Sequence, residues 1–186
     1  MAGPLRGPFS FLTMLFDSDD FALFDLPRRF TLDVTDLAAR RRKMQAQVHP
    51  DRFAAGGAAA QRAAMQWAVR VNEAYERLAD PLKRAAYLCE LGGVPVRAED
   101  NTAMPTEFLT QQMAWREGLE EAATLQAVEA IAADIDRRRH AAHAELARAI
   151  DGAADFGAAA RQVRALMFIE RFAADVDERL VALEGS

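Results

Sequence analysis

Hydrophobic residues recur at every third or fourth position through most of this 186-residue chain, which is the spacing of one face of an α-helix. A brief apolar patch at residues 21–26 is long enough for a short helix before Pro27. The next pattern, TLDVTDLAARRRKMQAQV, predicts a helix capped near Asp33 or Thr35. Its apolar face is formed by Leu37, Met44 and Val48. Arg41 falls within that face, so we expect its stem along the core edge and its guanidinium in water.

A long helical pattern follows from about residue 58 to residue 79. Its predicted apolar face consists of Met65, Ala68, Val71 or Asn72, Tyr75 and Leu78. The helix restarts at Asp80-Pro81, because Asp can cap a helix and Pro fits the first turn. The glycine pair at 92–93 ends it.

The second half of the chain predicts three amphipathic helices behind a linker. The segment VPVRAEDNTAMP has proline near both ends and no helical period, so we interpret residues 93–104 as a linker. Helices are predicted over roughly 105–122, 124–150 and 155–184. Their stripes are Phe108, Trp115 and Leu119; Leu125, Val128, Ala132, Ile135 and Leu146; and Leu166, Ile169, Val176 and Leu180. Three such helices with short connections form a bundle.

Composition supports an all-α fold and narrows the function classes. Alanine dominates the 51% hydrophobic fraction, which favours helix. A net charge of −5 argues against an overall attraction to nucleic acid. The apolar run at residues 9–16 is too short to span a bilayer. We therefore expect a soluble protein without membrane contact, with residues 1–18 as a disordered tail. The single cysteine fits a reducing cytoplasm.

The stretch QVHPDRF carries the first candidate site. Pro50 disfavours helical backbone at His49, which explains why the preceding helix stops there. Catalysis by His49 requires a partner group and a pocket, and the chain shows no nucleophile elbow or phosphate loop, so we do not expect an enzyme. The tripeptide alone is also compatible with an ordinary turn. The four basic residues 40–43 just before it are compatible with a solvated helix face or with nucleic-acid binding.

The basic helix, the His-Pro-Asp loop and the following NEAYERLADPLKRAAYL together resemble a J-domain over residues 19–92. J-domains stimulate ATP hydrolysis by chaperones of the DnaK and HscA class. The resemblance implies that the loop residues His49, Pro50 and Asp51 contact the chaperone, with basic contacts best placed at Arg42 and Lys43. Position 41 commonly holds an aromatic residue in this family.

A second candidate surface lies on the helix predicted over 105–122. Its core face is formed by Phe108, Gln112, Trp115, Leu119 and Ala122. Leu109, Met113, Glu117 and Glu121 step by four along a different face. Such a stripe is either a partner-binding strip or incidental surface. Phe168 lies off the core stripe of the last helix, so it is either packed at a helix crossing or a binding anchor.

Nearly the whole chain resembles the HscB family, co-chaperones of iron-sulfur cluster assembly. The resemblance is carried by FALFDLP, HPDRFA, KRAAYLCELGG and TEFLTQQMAWREGLEE. It implies that the bundle, residues 105–186, binds the cluster scaffold protein IscU and delivers it to the chaperone HscA. The matching positions are Leu109, Met113, Glu117, Glu121 and Phe168, while Ala114 stands where an acid is usual. The bacterial branch is indicated, because the paired-cysteine zinc motif of eukaryotic relatives is absent. A J-protein that delivers a different client is the alternative.

No cofactor or metal is expected. His140 and His143 are three residues apart and could share a helix face as metal ligands, but a protein-bound metal usually takes three or four ligands. Cys89 lies in an apolar run and is expected to be a small core residue. Iron-sulfur clusters usually require four ligands. The chain is therefore expected to escort the cluster carrier and not to hold the cluster.

Overall fold

The computed structural model describes residues 18–48, 57–96 and 106–184. These residues form α1 Asp20–Leu23, α2 Val34–Val48, α3 Gly57–Ala79, α4 Pro81–Leu91, α5 Thr106–Glu121, α6 Leu125–Ala147, a π-helical segment Arg148–Gly152 and α7 Phe156–Glu184. None of the described residues lies in a β-strand, and the predicted all-α fold is confirmed. The predicted tail, apart from Ser18, the His-Pro-Asp loop and most of the linker lie outside the described residues.

The starts of the first helices follow from carboxylate caps. Asp19 accepts a hydrogen bond from the Ala22 backbone N–H at 3.0 Å. Asp33 accepts from the N–H groups of Thr35 and Asp36, so Asp33 is the cap of α2. Asp80 does the same at the start of α4. Each cap satisfies backbone donors that have no partner inside the helix.

Two compact units divide the chain, Met1–Arg84 and Ala85–Ser186. In the first unit, α2 and α3 pack around a core that includes Phe21, Leu37, Val48, Val71 and Leu78. The fully buried Asp20 lies in this unit, where Arg70 and Arg77 approach its two carboxylate oxygens at 2.7 and 3.2 Å. The two arginines compensate a charge that would otherwise be very costly to bury.

The predicted face of α3 is partly wrong. Its buried residues are Ala64, Trp67, Val71, Ala74 and Leu78, whereas Met65 is 60% exposed. Apolar side chains occur on more than one side of this helix, since Val69 is exposed as well. The large indole of Trp67 takes the core position because it buries more apolar area than Met65 would.

The second unit contains the predicted three-helix bundle. Its buried side chains come from all three helices: Trp115, Val128, Ile135, Ala142, Leu146, Val163, Leu166, Ile169, Phe172 and Val176. Leu125, predicted in the core stripe, is exposed at the first position of α6. The helix predicted over 124–150 ends in the π-helical segment.

The end of α4 belongs to this second unit. A Cβ atom at Gly92 would lie 2.5 Å from the Phe156 ring, so only glycine fits there. Arg164 donates a hydrogen bond to the Val96 carbonyl oxygen at 3.0 Å. The division after Arg84 falls inside α4, earlier than the domain end at residue 92 that the sequence suggested; the boundaries stay a prediction. Within the described ranges, no helix is both long and apolar enough for a bilayer crossing.

Candidate partner-binding surfaces

The basic run on α2 divides into two engaged and two open side chains. Arg40 donates to the carbonyl oxygens of Phe24 at 2.9 Å and Asp25 at 2.5 Å. It also pairs with the Asp36 carboxylate at 2.9 Å. Arg40 therefore fastens the loop after α1 to α2, and its charge is committed within the unit.

Arg41 is also engaged, and the expectation that its guanidinium stays in water is wrong. Its Cζ atom lies 4.3 Å from the centroid of the Tyr75 ring on α3. Its Nη2 donates to the Asn72 side-chain oxygen at 3.0 Å, and Gln45 donates to the same oxygen. A guanidinium gains from lying over an aromatic face. Tyr75 and Asn72 supply this environment across the α2–α3 contact.

Arg42 and Lys43 are exposed and have no ion-pair partner among the residues that the structure describes. They are the two positions singled out in the sequence for chaperone contact. Val48, at the end of α2, is buried and anchors the helix immediately before the candidate loop. His49, Pro50 and Asp51 themselves lie outside the described residues, so their role stays a prediction.

The four-residue stripe on α5 is exposed along its length. Leu109 is 45% exposed and Met113 is 63% exposed, and Glu117 and Glu121 are both exposed. We call these four residues the α5 strip. The structure thus places two large apolar side chains in solvent and follows them with two carboxylates on the same helix.

Phe168 is half-buried beside the same helix. Its ring meets Phe108 edge-on, with centroids 5.7 Å apart. On the other side it is parallel to Phe172 at 6.5 Å, and Phe172 in turn stacks on Trp115 at 5.6 Å. Phe168 is therefore packed at the α5–α7 crossing and still partly accessible, and its role as a binding anchor stays a prediction. We call Phe108, Phe168, Phe172 and Trp115 the aromatic row.

The buried end of the aromatic row is fixed by a hydrogen bond to α6. The Trp115 indole Nε1 donates to an Asp134 carboxylate oxygen at 2.8 Å. This bond, together with the Arg137 and Arg138 guanidinium groups, holds the pKa of Asp134 below its ordinary value, although partial burial opposes the shift. Arg138 also lies over the Trp115 ring at 5.5 Å. The row is therefore positioned from both α5 and α6.

Three side chains near Phe168 were missed from the sequence. Arg116 lies over the Phe168 ring, with its Cζ atom 5.9 Å from the centroid. Met167 is 41% exposed, and Arg171 is exposed one turn after Phe168 on α7. The only signal available in the sequence was their spacing from Phe168, and spacing does not distinguish a paired arginine from an unpaired one.

The remaining candidate residues, Cys89 and His140, contact other groups of the second unit. Cys89 is fully buried, as expected of a core residue, and burial raises the pKa of its thiol to about 11. The His140 Nδ1 atom lies 2.7 Å from the Asp136 carbonyl oxygen, so this nitrogen carries the donated proton. Among the described residues, no three His, Cys, Asp or Glu side chains are arranged to hold a metal ion.

Known proteins resemble this chain over both units. Residues 104–177 match the family model described as the HSCB C-terminal oligomerisation domain. A co-chaperone protein HscB homologue from Burkholderia mallei is 52% identical over 167 residues, which cover 88% of this chain and 95% of that relative. Homologues from Burkholderia cenocepacia and Burkholderia multivorans match with the same identity and coverage.

Solved structures of HscB proteins are also similar to this chain. Chaperone HscB from Vibrio cholerae has a TM-score of 0.75 at 33% identity, covering 87% of this chain and 96% of that one. Human co-chaperone protein HscB has a TM-score of 0.83 at 25% identity, and the match covers 90% of this chain and 84% of the human one. With both sequence identity and fold shared over most of its length, the chain belongs to the HscB family of co-chaperones.

Proposed function

We propose that this protein stimulates ATP hydrolysis by an HscA- or DnaK-class chaperone and delivers an IscU-type iron-sulfur scaffold protein to it. The observation that carries the proposal is the exposed apolar pair Leu109 and Met113 on α5, the helix whose Phe108 contacts Phe168, in a chain 52% identical to co-chaperone HscB homologues. The protein performs no covalent chemistry in this scheme. Its role is to bring two partners together.

The chaperone side of the mechanism rests on α2. Arg42 and Lys43 are exposed and have no ion-pair partner among the described residues. Arg40 and Arg41, in contrast, bind groups of their own unit. Open cations on one helix face steer the encounter with an acidic surface and raise the association rate. The His-Pro-Asp loop follows directly, and Pro50 reduces the backbone entropy that the loop loses on docking. Asp51 supplies a carboxylate for a charge-assisted hydrogen bond to the chaperone.

The scaffold side rests on the bundle. Leu109 and Met113 are exposed apolar side chains, and Phe168 offers a ring held in place by the aromatic row. Apolar anchors on a rigid surface contribute most of the affinity of an interface, and surrounding charges add specificity. Glu117 and Glu121 extend the α5 strip and supply carboxylates for cationic groups of the scaffold.

Joining the two surfaces in one chain converts scaffold delivery into an intramolecular step. A linked pair of binding modules presents the second ligand at an effective concentration that is of order millimolar for a short linker. The scaffold carries the iron-sulfur cluster as cargo, and ATP hydrolysis by the chaperone then favours transfer of that cluster to acceptor proteins.

The test is steady-state ATP hydrolysis by the HscA-class chaperone of the same organism. It is measured with this protein, with the scaffold, and with both, and repeated with His49→Gln. Strong synergy of the two proteins that the substitution abolishes is the expected result. Stimulation that ignores the scaffold would mean that the bundle delivers a different client. No stimulation would overturn the proposal.

A further inference from the structure

Most arginines of the second unit are committed to partners within it. Arg137 and Arg138 approach Asp134, and Arg139 pairs with Glu170 at 2.8 Å. The remaining engaged ones are Arg148, Arg164 and Arg179, which meet Glu145 and the carbonyl oxygens of Val96 and Ala122. Most of the described arginines of this unit therefore already have a carboxylate or carbonyl partner within it.

Two exposed arginines without an ion-pair partner in the described ranges flank Phe168. Arg116 reaches over the Phe168 ring from α5, 5.9 Å from the centroid. Arg171 follows Phe168 by three residues on α7 and is therefore its neighbour on the helix surface. A third such arginine, Arg161, lies two turns earlier on α7. The half-buried ring of Phe168 is therefore flanked by positively charged side chains.

The acids of this surface lie toward the C-terminal ends of α5 and α7, and the first of them, Glu117, directly follows Arg116. Phe108 meets Phe168, and Trp115 meets Phe172, so α5 and α7 run in the same direction. Beyond Met113 the α5 strip continues with Glu117 and Glu121. With a rise of about 1.5 Å per residue, Glu121 lies roughly 18 Å along the helix from Leu109. The α7 residues that follow at this end include the exposed acids Asp175 and Glu178.

We infer that Arg116 and Arg171 receive a carboxylate-bearing segment of the scaffold beside Phe168, and so fix the direction in which the scaffold lies along the α5 strip. The inference rests on the proposed function and adds the chemistry of the partner at one end of the surface. A guanidinium matches a carboxylate with two parallel N–H donors. A scaffold docked the other way round would place its acidic group against Glu121 and Glu178, where like charges repel.

Charges at the rim of an interface act mainly on the rate of association, whereas buried apolar anchors act mainly on dissociation. The test is therefore kinetic. Association and dissociation of the full chain and the IscU-type scaffold are measured at low and at high salt. The variants are Arg116→Glu with Arg171→Glu together, the milder pair Arg116→Gln with Arg171→Gln, and Met113→Ala.

The control is Arg148→Glu, a reversal at an exposed residue outside this surface that changes the net charge as much as Arg171→Glu alone does, and both single variants are measured beside the double reversal. Thermal unfolding of every variant is compared. The double reversal is expected to slow association about tenfold at low salt, with a smaller effect at high salt. The glutamine pair is expected to slow association less. Arg148→Glu is expected to change the association rate by less than about twofold, because this charge lies outside the proposed interface.

A lysine placed at the scaffold acid that meets Arg171 should restore association of Arg171→Glu, which a merely structural role for the arginine would not produce. Unchanged association in the arginine variants while Met113→Ala weakens binding would overturn this inference alone. Equal slowing in Arg148→Glu and Arg171→Glu would also overturn it, because the effect would then be one of net charge. A wild-type chain that does not bind the scaffold would overturn both this inference and the proposed function.

Discussion

The rings of Trp115 and Phe172 are stacked in parallel, with centroids 5.6 Å apart and planes 3° from parallel. Phe172 is almost completely buried, yet it is also parallel to the half-buried ring of Phe168. The orientation of an accessible ring is therefore set by two rings in the core of the bundle. The packing of α5 against α7 and the shape of the candidate scaffold surface are determined by the same contacts.

Phe172→Leu should weaken scaffold binding although Phe172 offers almost no surface to a partner. Loss of the ring removes the stacking on both sides and should lower the free energy of unfolding by about 1–2 kcal/mol. Ile169→Val is the control, because it lies on the same helix, is buried and is expected to cost about 0.5–1.5 kcal/mol. Urea unfolding and scaffold affinity are measured for both. Equal loss of affinity in the two variants would contradict a positioning role for the aromatic row.

Asp134 should make the stability of the bundle depend on acidity. The Trp115 N–H bond and the neighbouring guanidinium groups lower the pKa of this carboxyl in the folded protein below its ordinary value of 3.8. The unfolded chain consequently binds the proton first as the pH falls. The stabilisation is fully present above the ordinary pKa and is lost as the pH falls below it, through the folded value.

The check is urea unfolding between pH 6 and about pH 2, together with a carboxyl titration by NMR. Asp134→Asn should remove this part of the acid-induced loss of stability. Trp115→Phe keeps a ring in the row but deletes the N–H donor, and it should raise the pKa of Asp134 toward the ordinary value. A pKa of Asp134 that is identical in the wild type and Trp115→Phe would contradict the assigned cause.

Arg41 and Arg42 are adjacent in sequence but should have opposite phenotypes. Arg41→Ala deletes the contact with Tyr75 and the bond to Asn72, so it should lower the free energy of unfolding by about 1–2 kcal/mol. Arg42→Ala removes an exposed charge and should change stability by less than about 0.5 kcal/mol. Chaperone ATPase stimulation should fall in Arg42→Ala. Loss of stimulation only in Arg41→Ala would show that the two roles are reversed.

Cys89 should be unreactive in the folded protein. Its side chain is buried, and burial raises the pKa of its thiol to about 11, so very little nucleophilic thiolate exists at pH 8. Alkylation by iodoacetamide at pH 8 is expected to be slow in buffer and fast in concentrated urea. Labelling at equal rates in the two conditions would contradict the burial of this thiol.

The helices were predictable because their signals are local. Asp80 caps α4 as the sequence predicted, and Asp33 is the one of the two predicted candidates that caps α2. The apolar period gave the bundle helices to within a few residues. The face of α3 was not predictable in full, since it carries apolar residues on several sides. Which of Met65 and Trp67 faces the core depends on the space left by α1 and α2, a property of the tertiary structure.

The α5 strip could be found from the sequence because its positions fall outside the periodic core face. The sequence did not show which arginines of this surface pair with a carboxylate and which do not. Arg116, Arg137, Arg138 and Arg139 look alike in the sequence, but only the last three find carboxylates in the described structure. The position of the Arg41 guanidinium was likewise not predictable from α2 alone, because it depends on Tyr75 of α3. Such pairings depend on residues distant in sequence and set which cations are left for a partner.

Delivery as proposed requires a single chain to hold the chaperone and the scaffold at once. The most direct test mixes two variants, His49→Gln and Leu109→Glu with Met113→Glu, in the chaperone ATPase assay with scaffold present. Each variant retains the surface that the other lacks. We expect the mixture to show no synergy between co-chaperone and scaffold, because neither chain links the two partners. Synergy at the wild-type level in the mixture would contradict the claim that the linkage within one chain is required.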